Sequence, residues 1–120
     1  MSDHEETLRK LTVRDDAYVD LLLADERANE AAARLDGKTR ALVRVAALIA
    51  VDAATPSYME AIEVARRWGA SNDEVAGCLV ALLPTVGVAR IVSAAPKVAL
   101  ALGYDVEAAL ESRADQVPHR

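Results

Sequence analysis

Side chains that could act as nucleophiles or metal ligands are scarce in this sequence. The one cysteine, Cys78, has no second thiol to pair with, which excludes an intrachain disulfide, a dithiol redox pair and a cysteine-based zinc site. Because Cys78 stands among apolar residues with no histidine nearby in sequence, we interpret it as a small core residue rather than a nucleophile. His4 and His119 stand near the two ends of the chain, and we interpret them as terminal residues rather than ligands or bases.

Charge and composition narrow the class of protein. The formal net charge of −5 disfavours nucleic acid or anionic lipid as a partner, because phosphate binding draws on clustered Lys and Arg. With 120 residues, 52% of them hydrophobic, the chain fits one globular domain. Its densest apolar run, between Ala41 and Val51, is too short and too close to charges to span a membrane. The first residues are acidic, unlike those of a secretory signal, so we expect a cytoplasmic protein. We also expect that the protein binds no metal and no cofactor.

Three short helices are predicted in the first third of the chain. Ser2 and Glu5 have the spacing of a capping box, and Asp15 or Asp16 is a suitable start for a second helix. The stretch from Asp25 to Arg34 is rich in alanine and charge, which favours a surface helix.

The middle of the chain predicts a buried helix followed by an amphipathic one. Asp36 is a suitable cap for a helix that runs to about Val51 and has no polar face, and a helix that is apolar all round is expected to be buried. Thr55 and Pro56 then predict the start of a helix that ends at Gly69. Its exposed face is predicted from charges spaced by three and four residues, namely Glu60, Glu63, Arg66 and Arg67.

The last third predicts two more long helices and a helical tail. Ser71 and Glu74 form a capping-box pattern that opens a helix over about Val75 to Leu83, which Pro84 is expected to end or kink. After Gly87 a further helix, kinked by Pro96, should run to Gly103. A tail from Asp105 is expected to begin as helix and then fray. The fold class is therefore all-α, a compact helical bundle.

A homo-oligomer is expected from the amount of core that this chain offers. There is no Phe, so Leu, Val, Ile and Ala must fill the interior, and alanine buries little area per residue. Small domains already bury a modest fraction of their surface. Subunit contacts, particularly around the apolar helix that begins at Gly37, should supply the missing stability.

Two sequence segments resemble the carboxymuconolactone decarboxylase and alkylhydroperoxidase (AhpD-like) superfamily. The first is Leu35-Asp36-Gly37-Lys38-Thr39-Arg40 at the start of the apolar helix, and the second is Arg67-Trp68-Gly69-Ala70-Ser71 followed by Glu74-Val75. The resemblance covers roughly residues 35 to 103. It implies an AhpD-like helical bundle, a trimer or hexamer, and a lyase (decarboxylase) activity.

The positions that carry catalysis in this family are changed here. The decarboxylase branch has a Glu, a His and a second Glu where this chain has Ala41, Ala61 and Gly77. The peroxidase branch has Cys, Cys and His where this chain has Ala54, Ser57 and Ala61. Alanine and glycine transfer no proton, and a thiol peroxidase needs an activated thiolate with a resolving partner. Thiol peroxidase activity is therefore close to excluded, and the ordinary decarboxylase mechanism is unexpected.

The resemblance also implies where a pocket should lie, between the apolar helix and the Pro56 to Trp68 helix, completed by another subunit. Tyr58 and Glu60 are the candidate catalytic residues there, although a tyrosine in a first helical turn more often packs half-buried with its hydroxyl in water. The candidate ligand-binding residues are Arg40, Ser57 and Arg90, where the arginines could clamp a carboxylate or simply form surface ion pairs.

Two hypotheses of function follow. In the first, the chain is a catalytically degenerate family member that acts as an oligomeric scaffold or binds a small aromatic or lactone ligand. In the second, it is a cofactor-free decarboxylase or lyase whose catalytic residues have moved to Tyr58, Glu60 or an arginine.

Overall fold

Eight α-helices make up the regular structure of the computed structural model, which describes residues 2–116. In chain order they are α1 (Asp3–Thr12), α2 (Asp16–Ala24), α3 (Glu26–Ala33), α4 (Gly37–Ala50), α5 (Thr55–Arg67), α6 (Asn72–Val86), α7 (Val88–Ala101) and α8 (Val106–Gln116). No strand occurs in this part of the chain. The all-α prediction is therefore confirmed.

The helices fall into two compact units, residues 1–36 and 37–120. The first unit holds α1, α2 and α3, and none of their residues is buried. α2 and α3 pack on each other, and an ion pair of 2.9 Å joins Arg34 to Asp3. This unit has surface helices but no apolar core of its own.

The second unit contains the core. Its buried stripes recur at helical spacing on α4 and α5, where α4 contributes Ala41, Val45 and Ile49 and α5 contributes Tyr58, Ile62 and Ala65. Ala70, Val75, Ala94 and Val98 complete the core. Helix α4 packs against α5, α6 and α7, so it is central to the unit.

Helix α4 is not covered on every side by its own chain, which agrees with the expectation that one small subunit cannot cover all its apolar faces. Val43 is 53% exposed, and Ala47 and Ala50 are exposed as well. The three packed neighbours cover one broad face, which leaves an apolar strip of this helix open in a single chain.

Most helix boundaries agree with the local signals in the sequence. Asp15 caps α2 by accepting a hydrogen bond from the Tyr18 amide, and Ser71 with Glu74 forms the predicted capping box of α6. Gly87, with φ of +88°, joins α6 to α7 in a backbone conformation that favours glycine.

Two local predictions were wrong. The hydroxyl of Ser2 caps no backbone amide and instead donates to the Glu5 carboxylate. Thr55 is the first residue of α5, and the N-cap position belongs to Ala54, a shift of one residue that short-range signals do not separate. Of the two alternatives for Pro84, the end of the helix is excluded, because α6 continues to Val86, and the kink stays a prediction.

The tail is helical from Val106 to Gln116, as its sequence predicts, and Asp105 caps it by accepting from the Ala108 amide. His4 lies in the first turn of α1, with its Nδ1 atom 3.2 Å from the Ser2 hydroxyl. The predicted fraying of the tail is not seen as far as Gln116, the last residue of α8, and His119 lies outside the described residues.

Candidate functional site

A groove of about 350 Å³ lies between α4 and α5. α4 contributes Arg44, Ala47 and Leu48, and α5 contributes Ser57, Glu60, Ala61 and Val64. Residues three and four apart share a helix face, which explains why these residues line the groove together. Its walls are mostly apolar, with two charges and one hydroxyl, and its volume is within the range of small-molecule sites.

Two of the predicted site residues, Ser57 and Glu60, line this groove. Glu60 is exposed and makes no hydrogen bond or ion pair with residues 2–116, so its carboxylate is available to a molecule in the groove. The predicted exposed face of α5 is confirmed, because Glu60, Glu63, Arg66 and Arg67 are all exposed. Arg66 donates to Asn72 Oδ1 at 3.0 Å and to the Leu102 carbonyl at 3.2 Å.

Tyr58 lies in the core rather than in the groove. Its side chain is fully buried, and its hydroxyl donates to the carbonyl of Leu48 over 3.1 Å. The expectation of a half-buried ring with its hydroxyl in water is therefore wrong, because Tyr58 points along the same face of α5 as Ile62 and Ala65. Burial, followed by the charge of Asp52, raises the pKa of the hydroxyl. A phenol held in this way is a structural donor, not an accessible acid.

The two arginines of the predicted ligand clamp lie outside the groove and apart from each other. Arg40 is buried in the first turn of α4, with 8% of its surface exposed. Arg90 stands on α7, where its Nη1 atom lies 3.5 Å from Asp52 Oδ2. Arg44, one helical turn after Arg40, is the arginine that does line the groove.

Asp52 is the centre of a polar cluster that the sequence does not single out. It follows α4 with a φ of +54° and accepts hydrogen bonds from the Ser93 hydroxyl at 3.0 Å and from Lys97 Nζ at 3.2 Å. Lys97 also donates to the Ala53 carbonyl at 3.1 Å. The Lys97 hydrogen bond, then that from Ser93, lowers the pKa of Asp52. This cluster fastens the turn between α4 and α5 to α7.

Cys78 agrees with its interpretation as a packing residue. Its Sγ atom lies 3.5 Å from the Glu74 carbonyl and 3.9 Å from that of Leu42, and it packs against the core. Burial raises the pKa of the thiol, which lowers the fraction of reactive thiolate.

The positions that carry catalysis in the resembled family are spread over different environments. Ala61 lines the groove, whereas Ala41 is buried in the core. Gly77 has open space where a side chain would project, and Ala54 is exposed at the start of α5. Ser57 and Ala61, one turn apart, are thus the pair that faces the groove.

Sequence reasoning missed Arg44, Ala47, Leu48 and Val64 as groove residues. The sequence indicated the α5 residues of the groove in part, because Ala61 and Val64 follow Ser57 by four and seven residues on that helix. The α4 residues of the groove depend on which face of α4 meets α5, and the sequence of an apolar helix does not indicate that face.

Within residues 2–116, no three His, Cys, Asp or Glu side chains come together in a way that could hold a metal ion. None of the helices described is both long and apolar enough to cross a membrane. No protein-family model, curated protein or solved structure matches this chain.

Proposed function

We propose that this chain is a catalytically degenerate carboxymuconolactone decarboxylase-like protein that binds a small aromatic or lactone ligand, or serves as a scaffold, within a homo-oligomer. The resemblance of residues 35 to 103 supports a trimer or hexamer, and the single cysteine supports a cytoplasmic location. The observation that carries the binding role is the groove between α4 and α5, where Ala61 stands in place of the catalytic histidine.

The groove suits a small planar molecule. Ala47, Leu48, Ala61 and Val64 supply apolar contact for a ring, and Arg44 and Glu60 line the groove with one charge of each sign. Benzoate serves as a small aromatic probe for the binding role. Without a histidine or a second carboxylate, the groove lacks the pair of proton-transfer groups that the decarboxylase mechanism uses, each of which typically contributes about 10²–10⁴-fold in rate.

The binding role is tested by isothermal titration of benzoate with two matched variants. Ala47→Phe fills the groove and should weaken binding at least about 10-fold, because it removes the space for the ring. Ala50→Phe adds the same ring three residues along α4, at an exposed position that does not line the groove, and should leave binding unchanged. Equal affinity of both variants and the wild type would exclude the groove as the binding site.

The relocated-enzyme alternative is tested by turnover of carboxymuconolactone. We expect no detectable turnover by the wild type. Robust turnover that Glu60→Gln abolishes would establish a relocated active site in the groove. Tyr58→Phe serves as a control that alters the core and not the groove. Because it removes a hydrogen bond to the Leu48 carbonyl, it should lower the free energy of unfolding by about 1 kcal/mol and leave benzoate affinity unchanged.

A further inference from the structure

Two polar groups on the α5 side of the groove make no side-chain hydrogen bond with residues 2–116. They are the hydroxyl of Ser57 and the carboxylate of Glu60, and both residues line the groove and are exposed. Their spacing of three places them on the same face of α5. An ionised carboxylate only accepts hydrogen bonds, and a hydroxyl oxygen can accept them as well. This side of the groove is therefore suited to a ligand that donates hydrogen bonds.

The two charged residues of the groove differ in their surroundings. Arg44, on the α4 side, already interacts with another residue of this chain. Glu60 has no ion pair within residues 2–116. The negative charge is thus the one that the fold leaves for a ligand to balance.

A ligand in the groove changes the surroundings of the Glu60 carboxylate. The rest of the wall is mostly apolar and is formed by Ala47, Leu48, Ala61 and Val64. A ring that packs on this wall displaces water from beside the carboxylate. Displacing that water without supplying a partner costs free energy, whereas a hydrogen bond from a cation compensates for it. The charge of a ligand should therefore decide how tightly it binds.

We propose that the ligand of this groove is a small aromatic compound that carries a primary ammonium group. The inference rests on the binding role of the proposed function and names the chemical class of the ligand. An ammonium group has three N–H donors, so it can donate to the Glu60 carboxylate and to the Ser57 hydroxyl together. The aromatic ring then packs against the apolar wall of the groove.

An aromatic carboxylate fits the groove less well. It would bring a negative charge beside Glu60, and like charges repel most strongly where water is displaced. It would also have to compete with the interaction that Arg44 already makes. A neutral ring compound avoids the repulsion but supplies no charge to balance the carboxylate.

Isothermal titration of three probes of similar size tests the inference. The probes are benzylamine, benzyl alcohol and benzoate, and the amine of benzylamine, like that of lysine, is protonated at neutral pH. We expect the wild type to bind benzylamine about 5-fold or more tightly than benzyl alcohol. Benzoate should bind no more tightly than benzyl alcohol. Equal affinity for the three probes, or a preference for benzoate, would overturn the inference.

Two matched variants locate the origin of the preference. Glu60→Gln keeps the size of the side chain and removes its charge, so the affinities for benzylamine and benzyl alcohol should come within about 2-fold of each other. Glu63→Gln removes the same charge from an exposed position of α5 that does not line the groove, and should keep the wild-type preference. A preference that persists in the first variant, or disappears in the second, would contradict the role of Glu60.

The same probes separate this inference from the binding role on which it rests. Ala47→Phe fills the groove and should weaken benzylamine binding at least about 10-fold. If Ala47→Phe weakens the binding of benzoate or benzyl alcohol while the wild type does not prefer benzylamine, the binding role stands and this inference fails. If no probe binds the wild type, or if Ala47→Phe leaves every affinity unchanged, both fail.

Discussion

Tyr58 and Asp52 are polar residues of the second unit that hold helices together and do not line the groove. The Tyr58 hydroxyl bonds to a carbonyl of α4, and the cluster around Asp52 joins the turn after α4 to α7. Asp52 adopts a φ of +54°, a conformation that Asp and Asn tolerate better than most residues. The turn that leads into the groove residues of α5 is therefore fixed by a carboxylate and its partners.

The Asp52 cluster predicts a pH dependence of stability. Because hydrogen bonds from Lys97 and Ser93 lower the pKa of Asp52 in the folded state below its ordinary value of 3.8, its stabilisation is complete above that value and is lost as the pH falls through the depressed folded pKa. Asp52→Asn keeps the backbone preference and removes the charge. Its melting temperature should lie below that of the wild type at neutral pH, and the gap should close in strongly acidic buffer. A gap that stays constant with pH would contradict the role of the charge.

At the scale of helices, one close contact joins the start of α4 to the end of α5. A side chain at Gly37 would meet the Trp68 ring, since a Cβ atom built there lies 2.1 Å from Cε3 of the indole. Trp68 stands at the C-cap of α5, so the absence of a side chain at Gly37 sets how closely these two helix ends approach.

This contact predicts opposite effects for the same substitution at two glycines. Gly37→Ala should destabilise the protein by about 1–3 kcal/mol, the usual cost of overpacking. Gly77→Ala, in the interior of α6 with nothing within 4 Å of the added atom, should stabilise it by about 0.5–1 kcal/mol through the helix propensity of alanine. Urea denaturation of both variants measures the difference. A stabilised Gly37→Ala variant would show that the indole moves aside freely.

At the scale of the whole molecule, the two units differ in how their stability arises. Every residue of the apolar core belongs to the unit of residues 37–120. The unit of residues 1–36 has three helices of eight to ten residues with no buried side chain. Helices of this length are marginal in water without tertiary packing.

A shortened chain tests this division. A protein that begins at Leu35 retains all ten core residues, so we expect a cooperative thermal transition with a helical circular dichroism spectrum. The full-length chain, measured at the same concentration, is the reference. A broad, non-cooperative transition in the shortened chain would show that the first 34 residues contribute to the core in solution.

The sequence by itself determined the all-α class and most helix boundaries, while tertiary structure decided which side chains form the site. Capping at Asp15 and Ser71 and the turn at Gly87 depend on atoms within a few residues, so the sequence contains the whole signal. The placement of Ser57 and Glu60 in the groove follows from their spacing on one helix once that helix is known. Burial of Tyr58, the entry of Arg44 into the groove and the bond from Lys97 to Asp52 depend on how separate helices pack. Because an apolar helix such as α4 presents similar side chains all round, only its packed neighbours determine which face is covered.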